Sequence, residues 1–127
     1  MFVPRLLITD DDAAYRAVLT DALTRRGMEV AEAGDGDEAL AMLDVETFHM
    51  VLVDVHMPKV TGLEVIRELA TRPEPPPYVL MSAQLDELIE REAARMRAYR
   101  VLSKPLRLRQ LDDVVRGGLA EVYGWTG

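Results

Sequence analysis

The stretch MVLVDVHMPKVTGLEV, Met50–Val65, places a carboxylate at the end of an apolar run. The residues MVLV have the pattern of a buried strand, and Asp54 follows them directly. Met57-Pro58 then prevents the extended segment from simply continuing. A buried strand would penalise an unpaired charge, so the position of Asp54 indicates a functional edge of the fold.

The rest of the chain alternates short apolar runs with segments of helical period, a pattern typical of a parallel sheet covered by helices. We predict five strands, in the runs FVPRLLIT, MEVAEA, HMVLVD, YVLMSA and YRVLSK. Five helices are predicted over residues 13–26, 34–46, 62–71, about 85–97 and about 108–122. The expected apolar stripe of the first helix consists of Ala14, Val18, Leu19, Ala22 and Leu23.

With 127 residues the chain has room for one domain, predicted over residues 1–122. Residues 123–127, YGWTG, are expected to form a short, loose C-terminal tail, and Pro73–Pro77 a helix-to-strand loop. The absence of cysteine excludes disulfides and thiolate chemistry. No apolar run is long enough to cross a bilayer, so we expect a cytoplasmic protein without membrane contact.

The net charge of −7 argues against direct binding to nucleic acid, but the charge is unevenly distributed. Residues 91–109 carry seven basic side chains against the single acid Glu92. We predict that this segment presents a basic face to a downstream protein with an acidic surface. The arginines of this face are Arg91, Arg95, Arg97, Arg100, Arg107 and Arg109. A solvated face without a partner is the alternative.

Reactive side chains follow four of the predicted strands: the run Asp10–Asp12, then Asp54, Ser82 and Lys104. The carboxyl ends of parallel strands meet at one edge, where open α/β folds bind ligands. Clustered carboxylates repel one another unless a cation intervenes, and an all-oxygen ligand set favours Mg²⁺. A lysine and a hydroxyl beside them suit a phosphoryl group. Asp12, which precedes a helix, is expected to be its N-cap and not a metal ligand.

The motifs ITDDD, VDVHMPKVTG, MSA and SKP, in this order, resemble the receiver domain of two-component response regulators from about Arg5 to Val122. The resemblance implies a flavodoxin-like, doubly wound five-stranded parallel sheet of order 2-1-3-4-5 with five helices. It also implies that Asp54 accepts a phosphoryl group from a sensor histidine kinase or a phosphotransfer protein. Such a domain is a signalling unit and not a conventional enzyme, although it promotes its own phosphorylation and dephosphorylation.

The same resemblance suggests roles for the other site residues. Asp10 and Asp11 would hold Mg²⁺ together with Asp54 and the backbone carbonyl of His56. Ser82 would move to bond the phosphoryl group, and Lys104 would pair with one of its oxygens. The rim residues that would modulate the reaction are His56, Ala83 and Gln84. Gly62 is expected to meet a backbone requirement in the turn that enters the third helix.

One position departs from the family pattern. Many receivers have an aromatic residue three positions before the lysine, where this chain has Val101. Tyr99 has the same strand parity and is expected on the same side of the sheet, about 7 Å further from the active edge. Either Tyr99 takes over part of this switch role or the ring movement is absent.

Two other functions use the same residues. A degenerate receiver would bind partners without phosphorylation, although the full set of acids, hydroxyl and lysine argues against this. A phosphatase with an aspartate nucleophile normally needs a second acid two residues after the nucleophile, where this chain has His56.

Overall fold

The computed structural model describes residues 2–127 and contains alternating strands and helices; Met1, the first residue of the predicted domain, lies outside it. The strands are β1 (Arg5–Thr9), β2 (Glu29–Ala33), β3 (Met50–Asp54), β4 (Tyr78–Ser82) and β5 (Arg100–Ser103). The helices are α1 (Ala13–Thr24), α2 (Gly36–Val45), α3 (Gly62–Ala70), α4 (Glu87–Arg95) and α5 (Leu108–Tyr123). None of these helices is long and apolar enough to cross a membrane.

The five strands form one parallel sheet of order β2-β1-β3-β4-β5. This doubly wound order confirms the predicted fold class. The predicted helices are each present, with ends shifted by a few residues. Pro73–Pro77 lies in the loop between α3 and β4, as predicted.

Two apolar clusters cover the two faces of the sheet. Alternate residues of the central strands point to opposite faces, as the pleat requires: Leu52 packs with α1 and α5, whereas Val53 packs with α2, α3 and α4. The strands β3 and β4 are buried along their whole length. The sheet is therefore a rigid support for residues at its carboxyl edge.

The predicted stripe of α1 is partly wrong. Leu19, Ala22 and Leu23 are buried, but Ala14 is exposed and Val18 is 52% exposed. The helix is rotated so that Tyr15, and not its apolar neighbours, continues the buried stripe toward the carboxyl edge of the sheet.

Side-chain caps fix the start of four helices. In each case a side-chain oxygen accepts a hydrogen bond from the backbone N–H three residues later. The capping residues are Asp12, Asp35, Thr61 and Asp86. The predicted N-cap role of Asp12 is confirmed.

The expectation of a loose C-terminal tail is wrong. Tyr123 is the last residue of α5, and Gly124 ends the helix with a left-handed backbone conformation, φ 68°. This turn returns the chain to the domain, where Trp125 is 5% exposed and packs in the α1–α5 cluster. The indole Nε1 donates a hydrogen bond to the carbonyl oxygen of Phe2 at 3.1 Å. Burial of the large apolar indole stabilises the packed position of this segment against the domain.

Candidate phosphoryl-transfer site

The reactive side chains predicted from the strand ends meet at the carboxyl edge of the sheet. Asp10 directly follows β1, Asp54 ends β3, Ser82 ends β4 and Lys104 directly follows β5. The parallel register aligns these ends, with Asp54 beside Met81 and Ser82 beside Ser103. The sheet thus brings acids, a hydroxyl and an amine from four strands into one site.

Three carboxylates form the acidic part of this site. Asp10 is fully buried, Asp54 is 4% exposed, and Asp11 is exposed at the rim. One carboxylate oxygen from each lies within 4.8 Å of the others. Asp10 is further fixed because its Oδ1 accepts a hydrogen bond from the backbone N–H of Asp12 at 2.9 Å.

Lys104 lies between the two buried acids. Its Nζ is 2.6 Å from Oδ2 of Asp10 and 3.4 Å from Oδ2 of Asp54. The same ammonium is 4.7 Å from the centre of the Tyr15 ring, whose hydroxyl accepts a hydrogen bond from the backbone N–H of Leu106. The ring face of Tyr15 therefore contacts the lysine, a role that no motif in the sequence indicated.

Burial and neighbouring charges act differently on the pKa values of Asp54 and Lys104. Burial, and then the charge of Asp10, raise the pKa of Asp54, while Lys104 and the backbone N–H of His56 oppose this rise. Burial disfavours the charged form of Lys104, but its hydrogen bond to Asp10 and the charges of both acids outweigh that effect and raise its pKa. The site therefore holds a charged lysine beside an acid whose ionised form is disfavoured.

The acidic residues fit a hard divalent cation. Asp10, Asp11 and Asp54 provide oxygen donors from two strand ends, with no histidine or cysteine in the group. Three carboxylates within 4.8 Å, two of them buried, are under mutual repulsion that a single lysine only partly offsets. A cation with oxygen preference, such as Mg²⁺, would remove this repulsion and keep water positions for a ligand.

Ser82 is fully buried and makes two contacts within the site. Its Oγ accepts a hydrogen bond from the backbone N–H of Gln84 at 3.2 Å. Nε2 of His56 lies 3.2 Å from the same oxygen. The imidazole contact was not anticipated from the sequence, because it depends on how β3 and β4 align across the sheet. The side chains of Ala83 and Gln84 are exposed at the rim.

Gly62 is placed by the backbone that carries Asp54. A Cβ at Gly62 would lie 2.2 Å from the carbonyl oxygen of Asp54 and 2.8 Å from its carbonyl carbon. The backbone N–H of Gly62 also donates to the carbonyl oxygen of Val55 at 3.0 Å. The predicted backbone requirement is therefore a close approach of the α3 start to the end of β3.

The predicted position of Tyr99 is wrong. Tyr99 packs with the α1–α5 cluster, whereas Val101 packs with the cluster on the opposite face. Tyr99 precedes β5, which begins at Arg100, so the regular alternation of side chains along the strand does not extend to it. A Cβ on Gly118 of α5 would lie 3.2 Å from the Tyr99 ring, so the small residue makes room for the tyrosine. Tyr99 is not placed to replace the missing aromatic at Val101.

The arginines of the predicted basic face are distributed over α4, β5 and the start of α5. Arg91 pairs with Glu87 at 3.3 Å, and Arg95 lies 3.7 Å from Glu92. The guanidinium of Arg100 lies 4.5 Å from the centre of the Tyr99 ring. Within residues 2–127, no ion pair is formed by the remaining three, Arg97, Arg107 and Arg109.

Comparison with known sequences points to one family. The model of the family described as response regulator receiver domain matches residues 6–116. The chain is 31% identical over 114 residues to a probable chemotaxis protein CheY of Rhizobium etli, covering 87% of this chain and 88% of that protein. It is 33% identical over 122 residues to the transcriptional regulatory protein CpxR of Klebsiella pneumoniae, covering 96% of this chain and 51% of that protein. The chain thus spans about half the length of the transcriptional regulators it matches.

Solved structures of receiver domains have the same fold as this chain. A CheY-like receiver domain protein from Methanospirillum hungatei has a TM-score of 0.91 at 24% identity, over 94% of this chain and 96% of that chain, and shows the common fold. The response regulator TrrA of Thermotoga maritima, solved in complex with Mg²⁺ and BeF, has a TM-score of 0.84 at 26% identity. That match covers 92% of this chain and 100% of the other.

Proposed function

The chain belongs to the response regulator receiver family of two-component signalling, and we propose that Asp54 is the residue that accepts its phosphoryl group. The observation that carries this proposal is the position of Lys104, whose ammonium contacts both Asp10 and Asp54 in a largely buried site. A phosphoryl group on Asp54 would meet a cation already in place. Such preorganised charge is the main means by which proteins assist phosphoryl transfer.

The proposed reaction is an in-line displacement at phosphorus. A carboxylate oxygen of Asp54 forms the new O–P bond, and the bond from phosphorus to the donor's nitrogen or oxygen breaks with its electron pair on the leaving group. The product is an acyl phosphate. Lys104 then pairs with a phosphoryl oxygen, and the Ser82 hydroxyl moves to bond another. The domain thus promotes its own phosphorylation and, with water as acceptor, its own dephosphorylation.

The metal proposed for this site is Mg²⁺, held by Asp10, Asp11, Asp54 and the backbone carbonyl of His56. When bound, it supplies positive charge that offsets the charge of the transferring group. Asp10 already holds Lys104 at 2.6 Å, so the same carboxylate would position the lysine and the metal. The rim residues His56, Ala83 and Gln84 would control the access of donor and water.

In the proposed switch, phosphorylation moves Ser82, and no aromatic side chain moves with it. Val101 packs under the face that α4 covers, has no polar tip, and is stiff about χ1. We therefore expect movement of Ser82 to change the packing of α4 without a ring rotation. The added charge of about −1.5 to −2 would bias two existing conformations.

The proposed phosphodonor partner is a sensor histidine kinase or a phosphotransfer protein in the cytoplasm. The proposed downstream partner is a protein with an acidic surface that meets the basic face. Arg107 and Arg109 are the sharpest probes of this face, because neither forms an ion pair within residues 2–127. Reversing both to Glu should abolish the salt-dependent part of partner binding and leave phosphorylation by acetyl phosphate intact.

The central test is direct phosphorylation. The protein would be incubated with acetyl phosphate and Mg²⁺ and its intact mass measured, with the expectation of one added phosphoryl group. Asp54→Asn should remain unlabelled, whereas Asp37→Asn, an exposed acid at the start of α2, should be labelled like the wild type. An unlabelled wild type would favour the degenerate-receiver alternative, and a labelled Asp54→Asn would move the acceptor elsewhere.

A further inference from the structure

The hydroxyl of Ser82 can make only a few hydrogen bonds. A serine hydroxyl donates one proton and accepts through its lone pairs. The backbone N–H of Gln84 already donates to Oγ, so the hydroxyl proton needs an acceptor of its own. Within residues 2–127, the atom in contact that can accept it is Nε2 of His56, at 3.2 Å. In the tautomer of His56 whose ring proton lies on Nδ1, Ser82 donates its hydroxyl proton to Nε2.

The imidazole is held close to the proposed acceptor carboxylate by its own backbone. The N–H of His56 donates to Oδ1 of Asp54 at 3.3 Å, and Gly62 holds the adjoining backbone by its bond to Val55. Asp54 and Ser82 end neighbouring strands of the sheet. A group added to Asp54 and the imidazole of His56 would thus approach the same hydroxyl from the β3 side.

The hydroxyl has one proton to donate, so two acceptors compete for it. A phosphoryl oxygen carries negative charge and accepts more strongly than a neutral imidazole nitrogen. We propose that His56 is a latch on Ser82: its imidazole holds the hydroxyl in the unphosphorylated protein, and the phosphoryl group must displace it. This inference rests on the proposed function of Asp54 and gives His56 a positioning role in addition to its place at the rim.

The released imidazole has space to move into. His56 is exposed and borders a cavity of about 670 Å³ between the loop after β3, the start of α3 and α4. Apolar side chains of these three elements line this cavity, including Met57, Leu63, Leu88 and Ile89. Release of the latch therefore changes the wall of a groove beside α4, and so the phosphorylation state can be sensed at that surface.

The latch predicts that removing the imidazole acceptor favours the phosphorylated-like state. His56→Phe keeps a planar ring but offers no acceptor. Its affinity for beryllofluoride with Mg²⁺, followed by amide NMR, should be about 2- to 10-fold tighter than that of the wild type, since one neutral hydrogen bond no longer opposes binding. His56→Gln, which restores an acceptor oxygen, should bind close to the wild-type affinity.

The Ser82→Ala background separates a latch from a general surface effect. In that background His56→Phe should leave beryllofluoride affinity unchanged, because there is no hydroxyl to hold. Unchanged or weaker binding by His56→Phe, or a gain that persists without Ser82, would overturn the latch.

The latch can also be tested without any phosphoryl mimic. In the metal-free wild-type protein, the ¹⁵N shifts of His56 should show an unprotonated Nε2, and Ser82→Ala should shift that resonance. A proton on Nε2 would overturn the latch whatever happens at Asp54. Failure of wild-type protein to bind beryllofluoride, with the expected ¹⁵N shifts, would instead overturn the proposed function.

Discussion

Replacing Gly62 by alanine would push a methyl group into the backbone that carries the proposed phosphoacceptor. The new Cβ would lie 2.2 Å from the carbonyl oxygen of Asp54 and 2.8 Å from the Cα of Val55. To move from 2.2 Å to ordinary contact at 3.4 Å or more, the end of β3 and the start of α3 would have to separate by at least about 1.2 Å. The Gly62 N–H bond to the Val55 carbonyl, at 3.0 Å, opposes that separation.

The expected cost follows from the nature of the clashing atoms. Overpacking in a well-packed interior costs about 1 to 3 kcal/mol, and backbone atoms, which cannot rotate away, place this case at the upper end. Alanine also lowers the conformational entropy of the unfolded chain, and this effect stabilises the fold by at most about 1 kcal/mol. We therefore expect Gly62→Ala to lower the free energy of unfolding by about 2 to 3 kcal/mol, or Tm by about 10 °C for a domain of this size.

Gly34→Ala is the matched control. Its added Cβ would lie 3.6 Å from the nearest heavy atom, the guanidinium of Arg16, which is ordinary van der Waals contact. This variant should be neutral or slightly stabilised. Urea unfolding followed by circular dichroism gives both free energies, and acetyl phosphate labelling tests whether the Gly62 variant also accepts phosphate more slowly. Equal stability of the two variants would refute the close approach at Asp54.

In the metal-free protein, Asp54→Asn should raise stability at neutral pH by roughly 0.5 to 2 kcal/mol, because burial and then the charge of Asp10 raise the pKa of Asp54. A raised carboxyl pKa destabilises the fold once the group is ionised. The stability gained by Asp54→Asn should therefore shrink as pH falls through the folded-state pKa of Asp54 toward 3.8. A stability gain independent of pH in urea titrations would contradict this. Mg²⁺ at a hundredfold excess over its Kd should stabilise the wild type by about 2.7 kcal/mol, and Asp11→Ala should lose most of this gain while folding normally; equal stabilisation of both proteins would count against the metal site. Trp125→Ala should cost about 3 kcal/mol in the same assay with unchanged Mg²⁺ affinity, and a neutral effect would mean that the C-terminal segment does not contribute to the core.

The site could be predicted from the sequence because parallel strands deliver their carboxyl ends to one edge. Asp10, Asp54, Ser82 and Lys104 each follow a short apolar run, so their convergence needed only the fold class. The N-cap at Asp12 was equally local, since it depends on the residue type and the helix that follows. Predictions of this kind succeed when one structural rule acts on neighbouring residues.

The errors arose where a contact depended on backbone turns or on the alignment of distant elements. Tyr99 lies just outside β5, so the alternation expected from the strand did not apply to it, and it packs on the opposite face from Val101. Trp125 is buried because a turn at Gly124 brings it back to Phe2, which lies at the opposite end of the sequence. The contact between His56, in the loop after β3, and Ser82, at the end of β4, depends on specific side-chain conformations, which no pattern in the sequence specifies.

Trp125 is the single tryptophan of the chain, and its position has an optical consequence. Its indole bonds to Phe2, which precedes β1, whereas Asp10 follows the end of that strand, about 25 Å further along at roughly 3.3 Å per residue. We therefore expect its fluorescence to report the unfolding of the domain and to respond little to events at Asp54. A ligand labelled with its own fluorophore would complete a two-colour experiment, in which occupancy and folding are read independently from one sample.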